Sequence, residues 1–266
     1  MTASNKREGG AAPVAVISGG AGGLGRALTA ALLARGWQVA AIDRDVAGLD
    51  PVPGLSLYTC DLTRPEALAR TCAQVLSDHG RADLVIYNAG ITQIGPFAQL
   101  TEAAHRQVFE VNYFAATAMA QHFLPALRDS HGTHLAISSV AGFTPLVHRC
   151  AYAASKHALE GAFKSLRSEE RAHGVRVLIA APSFVATNIG QPERQASGIA
   201  RPGSAADGMD YMTPEAAAAE ILRGVERGRA MIPVGRVARL AWWLNRLSPS
   251  LFQRLMERSV SGQSDP

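Results

Sequence analysis

The chain reads as a doubly wound α/β domain, a parallel sheet of about seven strands with helices on both faces. Short runs that are apolar throughout recur along it, as strands covered on both sides require. Stretches of helical periodicity stand between those runs, and that alternation builds a parallel sheet. The length of 266 residues suits one large domain and is too short for two catalytic domains of ordinary size.

The first run, Val14–Ser18, stops at a glycine cluster. Residues 24–35 then place Leu24, Leu28, Ala31 and Leu32 on one helix face, and Gly36 ends that helix. Further runs cover Gln38–Asp43 and Leu55–Thr59. Thr63 and Glu66 stand at capping-box spacing around Pro65, which predicts a helix to about His79. Residues 84–88 form a fourth strand, and a long helical stretch spans 102–128 with a bend or break expected near Pro125. A strand at 134–138, a helix at 152–173, a strand at 175–180 and a seventh strand at 230–232 complete the sheet. Residues 191–212 are rich in Gly, Pro, Ser and Ala, and irregular stretches of that length usually serve function. Thr213, Pro214 and Glu215 open another helix.

The chain is 47% hydrophobic and 18% charged, which excludes a disordered acidic tail and a low-complexity linker. Cys60, Cys72 and Cys150 are an odd, unpaired set, so neither a disulfide framework nor a zinc knuckle is expected. A reducing, cytoplasmic setting follows from that. No run of eighteen apolar residues occurs and no apolar segment precedes the first strand, so membrane spanning and secretion are not expected. The net charge of +4 does not point to nucleic acid, because the basicity is local. Between Ile221 and Arg258 eight arginines face only Glu226 and Glu257, so the rest of the chain is slightly acidic. His131 and His134 lie at a turn with no cysteine nearby, and no metal site is expected.

The first strand runs into Ser18, Gly19, Gly20, Ala21, Gly22, Gly23, Leu24 and Gly25. Such a turn aims free backbone N–H groups and the positive end of a helix at one point, which suits a diphosphate. Glycine is needed because a Cβ would block both the ligand and the packing of helix on strand. Gly20, Gly22 and Gly25 satisfy GxGxxG, while Gly19, Gly23 and Gly25 satisfy GxxxGxG. Asp43 ends the second strand, where a carboxylate can take both hydroxyls of an adenosine ribose and would repel a 2′-phosphate. Arg44 can pair with that phosphate, but no Lys or Arg lies inside the glycine turn. NAD is therefore expected, with NADP left open.

Tyr152 and Lys156 are four apart, so on a helix they share a face and can point into one cleft. Lysine is scarce here, present only as Lys6, Lys156 and Lys164. A phenol with its ordinary pKa of about 10 is a poor base near neutral pH. A lysine charge about 4 Å away, at an effective dielectric of about 20, is worth on the order of 4 kcal/mol and would bring the phenol near working pH.

With these residues in this order, the chain resembles the short-chain dehydrogenase/reductase family, in its smaller single-domain branch. The likeness spans about 13–235. It rests on Ser18, Gly19, Gly23 and Gly25, on Asp61, on Asn88-Ala89-Gly90, and on Asn112, Ser139, Tyr152 and Lys156. The resemblance implies a Rossmann-type fold and NAD(P)-dependent hydride transfer between a carbonyl and an alcohol. Tyr152 would be the acid/base, Ser139 would hydrogen-bond the substrate oxygen, and Lys156 would bind the nicotinamide ribose. Asn112 would hold a water that links Lys156 to solvent. Further cofactor contacts are implied at Gly22, Leu24, Asp43, Arg44, Asp61, Leu62, Asn88, Ala89, Gly90, Pro182, Val185 and Thr187. With Thr63 capping the next helix, the Asp61 side chain is expected to be free to meet adenine. Ser183 stands where the family usually has glycine, so the turn there is expected to differ.

The expected organisation is a flexible 1–12, a catalytic domain at 13–235 with a substrate loop at 188–212, and a basic amphipathic helical extension at 236–266. Ser139, Phe143, Val147, His148 and Tyr152 are expected around the substrate. Their apolar members favour a hydrophobic ketone or secondary alcohol, of steroid, aromatic or fatty type. In the extension, Trp242, Trp243, Leu244, Leu247, Leu251 and Phe252 lie among arginines. Such helices pack against a subunit, lie on a membrane through 236–258, or cover a substrate. A homodimer or homotetramer is implied by the family resemblance. One rival reading is a non-catalytic dinucleotide sensor, which has no need of an activated phenol. Another is an enoyl reductase, whose Tyr and Lys stand more than four apart.

Overall fold

The computed structural model describes residues 11–187, 197–200 and 211–261, with the side chains of 256–261 left aside. Most of the expected substrate loop therefore lies outside the described residues, as do residues 1–10 of the expected flexible N-terminus. In chain order the elements are β1 (Val14–Ser18), α1 (Gly23–Leu33), β2 (Gln38–Asp43), β3 (Leu55–Thr59), α2 (Pro65–His79) and β4 (Leu84–Tyr87). A two-residue β5 (Thr92–Gln93), α3 (Glu102–Phe109), α4 (Ala115–Ser130), β6 (Thr133–Ile137), α5 (Cys150–Glu170) and β7 (Arg176–Pro182) follow. The chain continues through β8 (Ile199–Ala200), α6 (Pro214–Glu226), β9 (Met231–Val234), α7 (Arg236–Leu247) and α8 (Pro249–Ser261).

Seven strands form one sheet in the order β3-β2-β1-β4-β6-β7-β9, and every pair in it is parallel. In β1, Ala15 and Ile17 join the core under α1 and α6, while Val16 joins the core under α2, α4 and α5. Burial on both faces is why the inner strands read as apolar runs. The direction of winding reverses between β1 and β4, and a crevice opens beyond the carboxyl ends of those strands. The glycine turn, Asp43, Asn88, Ser139 and Pro182 sit at the carboxyl edge of the sheet or just past it.

Two local mechanisms differ from expectation. Thr63 does not cap α2, whose N-cap residue Arg64 makes no side-chain capping bond. Instead the Asp61 carboxylate accepts the Thr63 N–H at 3.0 Å and the Thr63 hydroxyl at 2.7 Å, a turn that delivers Pro65 to the first helical position. Nor does Pro125 break its helix: α4 runs through it. Pro125 and Gln121 are both exposed, so the carbonyl that loses its partner can meet water. The interruption falls earlier, at a π-helical turn over Glu110–Phe114. Asn112, in that turn, accepts the Ile91 N–H at 2.8 Å and donates to the Ile91 carbonyl at 2.9 Å and to Ser155 Oγ at 2.9 Å. The widened turn thus ties the segment after β4 to α5.

Candidate active site

The glycine turn is built by close approach. Gly19 has φ of +68°, a left-handed conformation, and a Cβ there would stand 2.8 Å from the Ala89 Cα. A Cβ on Gly25 would strike the Gly19 carbonyl oxygen, and one on Gly23 would lie 2.9 Å from Thr187. Ser18 is buried beneath the turn, where its hydroxyl accepts the N–H groups of Asn88 at 3.1 Å and Ala89 at 3.2 Å. Asn88 Nδ2 in turn donates to the Gly19 carbonyl at 2.9 Å. No side chain caps α1, so its first N–H groups are left for whatever occupies the space in front.

That space is a cavity of about 620 Å³. Gly19, Gly22, Gly23 and Leu24 line it at one end with Asp43, Arg44, Asp61 and Leu62. Asn88, Ala89 and Gly90 line its middle, and Ser139, Tyr152, Lys156, Pro182, Val185 and Thr187 its other end. A diphosphate dinucleotide fits this donor set: glycines that leave no room for a Cβ, an open helix start, and a carboxylate at the adenosine end. Asp43 already accepts the Ala21 N–H at 2.9 Å and the Arg44 N–H at 2.7 Å, which fixes its orientation on the wall. Asp61 is not free as expected, since Thr63 uses its Oδ1 and holds the carboxyl below its usual range. Arg26, absent from the sequence reading, also lines this end. Its guanidinium donates to the carbonyls of Ala21 at 2.7 Å and Gly48 at 2.6 Å.

At the other end α5 carries Tyr152 and Lys156 on one face. Lys156 is 4% exposed, and its ammonium donates to the Ile137 carbonyl at 2.9 Å. It stands 5.8 Å from the centre of the Tyr152 ring. Burial pushes it down to about 8, against the opposing pull of Glu160. Tyr152 is raised above the ordinary phenol value by burial; a hydrogen bond with Ser139 and the charge of Arg149 pull the other way. Ser139 and Arg149 thus both favour the phenolate. Asn112 and Lys156 flank Gly90, whose hypothetical Cβ would meet Asn112 Oδ1 at 3.4 Å and Lys156 Nζ at 3.5 Å.

Two further functional candidates stand at this end, of which Glu160 is not singled out by the sequence. Arg149 is 7% exposed and lines the cavity beside Tyr152. Glu160 is wholly buried one turn beyond Lys156, accepting from Ser138 Oγ at 2.8 Å and Lys164 Nζ at 2.7 Å. Tyr152, Lys156, Glu160 and Lys164 recur at intervals of four, a signal that was available. The expected substrate residues Phe143, Val147 and His148 do not line this cavity. A 3-10 turn at Val140–Gly142 carries the chain away, so that Phe143 packs edge-on against Trp242 at 5.1 Å. Val147 and His148 are exposed, whereas Leu146, the third apolar residue of that segment, does line the wall, with Ile94, Phe184 and Tyr211. Ser183, in place of the usual glycine, bonds the Val234 carbonyl through both its N–H at 3.1 Å and its hydroxyl at 3.3 Å.

Known proteins share this arrangement. The sequence pattern of short chain dehydrogenases matches residues 13–198. The chain is 31% identical over 264 residues to the cattle (Bos taurus) protein named dehydrogenase/reductase SDR family member 7B, covering 91% of this chain and 80% of that one. The Xenopus laevis protein of the same name is 31% identical over 261 residues, covering 92% and 81%. Among solved structures, a Burkholderia cenocepacia short chain dehydrogenase in complex with NADP superposes with a TM-score of 0.81 at 25% identity, over 92% of this chain and 97% of that one. A short-chain dehydrogenase from Streptomyces avermitilis gives 0.77 at 26% identity, over 96% and 100%. The chain belongs to the short-chain dehydrogenase/reductase family and is an NAD(P)-dependent oxidoreductase.

Proposed function

We propose that the protein interconverts a hydrophobic carbonyl compound and its secondary alcohol, with NAD(H) as partner. One observation carries this reading: Ser139, Tyr152 and Lys156 line the same cavity as the glycine turn and Asp43. The nicotinamide ring, when bound, supplies or takes the hydride. Tyr152 gives the proton to the carbonyl oxygen in reduction and removes it in oxidation, within reach of Ser139. The Ser139 hydroxyl steadies charge on that oxygen. Lys156, fixed by the Ile137 carbonyl, would hold the ribose of a bound dinucleotide through its ammonium. Asn112 acts by holding Ile91 and Ser155, and so the floor between β4 and α5, in register.

Asp43 favours NAD, since a 2′-phosphate would meet its carboxylate. A second reading, NADP, is favoured by Arg26 and Arg44 on the same wall. Assaying a panel of hydrophobic ketones and secondary alcohols with each cofactor, beside Tyr152→Phe, tests all of this. Turnover that falls by about 10²- to 10⁴-fold in the variant supports the assignment. Turnover equal to wild type would remove Tyr152 from the chemistry.

No helix among the described residues is long and apolar enough to cross a membrane. On α7, however, Leu240 (69% exposed), Trp243 (62%) and Leu247 (78%) stand among exposed Arg236, Arg239 and Arg246. We infer peripheral contact with an anionic membrane through 236–258. Co-sedimentation with anionic vesicles at low salt, lost in a Trp243→Ser variant, would support it. A dimer that sediments without vesicles and is broken by that variant would assign the ridge to a second copy.

A further inference from the structure

Behind Ser139 lies a second cavity, of about 240 Å³. Val140 and Ala141 form one wall, Ala241 and Leu244 of α7 the opposite one, and Phe252 of α8, 7% exposed, closes it. Ser139, Leu146, Ser183 and Phe184 line both this space and the larger cavity, so the two meet at the hydroxyl beside Tyr152. Its few polar groups are already engaged. Thr144 donates to the Val140 carbonyl at 2.8 Å and Ser183 to the Val234 carbonyl at 3.3 Å. An apolar occupant therefore leaves no hydrogen-bonding group unsatisfied there.

The walls are fixed rather than loosely apposed. Asn245 Nδ2 donates to the Phe143 carbonyl at 2.6 Å, and Trp242 stands edge-on to the Phe143 ring. Arg239 pairs with Glu220 at 3.0 Å, which holds the start of α7 against α6. The cavity is thus built from three parts of the chain, each pinned to the next.

We propose that this second cavity is a subsite for one apolar chain of the substrate, carried on the carbon whose oxygen faces Ser139 and Tyr152. This rests on the oxidoreductase reading above and narrows its substrate to the fatty class, an alkyl ketone or alkyl secondary alcohol. Size decides among apolar substrates. An apolar cavity of roughly 150 Å³ takes a benzene ring, so 240 Å³ has room for about nine carbons. Pockets that enclose larger rigid ligands start at about 300 Å³, which disfavours a fused-ring nucleus in this subsite.

The test is calorimetric binding of 2-alkanones with 4 to 14 carbons to the full chain with saturating oxidised cofactor. Affinity should strengthen about threefold to fourfold per added methylene, then level off once the chain exceeds about ten carbons. Leu244→Trp and Ala241→Phe fill the space from two positions, and each should flatten the series. A flat series in the wild type would overturn the proposal, as would a steep one that neither variant alters. Binding that follows chain length without any turnover of the corresponding alcohols would leave the subsite standing and overturn the catalytic reading instead.

Discussion

Lys156 holds a positive charge in a place that disfavours it, and pH can expose that strain. Burial brings its pKa down to about 8 from the usual 10.5. Between those values the unfolded chain keeps a proton that the native chain has released. Because the folded value is the lower one, the native state is penalised below pH 8, and the penalty fades as pH climbs toward 10.5. At about 1.36 kcal/mol per pH unit of separation, the two values make that penalty about 3 kcal/mol at pH 7 and about 1.4 kcal/mol at pH 9.5. Lys156→Met removes the titration. The stability difference between wild type and variant, from urea unfolding, should then shift by about 2 kcal/mol in favour of the wild type between pH 7 and 9.5. Met also abandons the Ile137 carbonyl, which offsets both pH values alike, so the slope is the diagnostic quantity. A difference that stays constant across this range would refute the placement of a buried ammonium at the head of the site.

Three further outcomes follow from the geometry. Gly25→Ala drives a Cβ into the Gly19 carbonyl oxygen, so dinucleotide binding, read by fluorescence titration, should weaken at least tenfold (about 1.4 kcal/mol). Wild-type affinity there would mean that the turn is looser than drawn. Asp43→Ser leaves Arg26 and Arg44 in place, and the ratio of kcat/KM with NADP to that with NAD should rise about tenfold or more; an unchanged ratio would show that Asp43 does not read the ribose. His134 lies buried against Tyr87, its Nδ1 2.6 Å from the phenol oxygen, and burial lowers it from 6.5 to about 4. Its folded value is depressed because the neutral ring is the buried form. Stability is therefore intact above 6.5 and is lost as pH falls toward 4, by about 2 kcal/mol from pH 7 to pH 5. In His134→Gln that part of the acid loss should vanish from urea titrations.

The sheet was legible because its chemistry is local: a strand buried on both faces must be apolar at every position, as Ala40, Ala41 and Ile42 are. The bounds of β2 coincide with the expected ones for that reason; those of β3, a half-buried edge strand, coincide as well. β5 and β8 were not legible, since two residues show no period and their pairing, Thr92 with Ala200, joins distant segments. The site divides in the same way. The glycine turn and the Tyr152–Lys156 interval are short-range patterns, and both sides of the pattern reach one cavity. Arg26 matters through contacts that only the folded chain creates, and Glu160 through its burial. The misplacement of Phe143, Val147 and His148 has the same origin, because a single 3-10 turn decides which way that loop faces.

Ser183 shows how one departure from the family pattern is absorbed and then used. A serine hydroxyl needs space that glycine would have left open, and the space comes from Gly235 at the end of β9. A Cβ on Gly235 would stand 2.7 Å from Ser183 Oγ and 2.9 Å from Met212 Sδ, and its φ of +90° belongs to glycine in any case. The Gly235 N–H is taken by Glu220 at 3.3 Å, the same carboxylate that pairs with Arg239. Gly235, beside Ser183 and with its positive φ, is thus the point at which α7 leaves the sheet. The end of β7 also carries Pro182 and Val185 to the dinucleotide side of the cavity. The helix that walls the apolar space thus hangs from the edge of the sheet that positions the chemistry. A substrate chain pressing on Ala241 and Leu244 would meet a wall braced by the site itself.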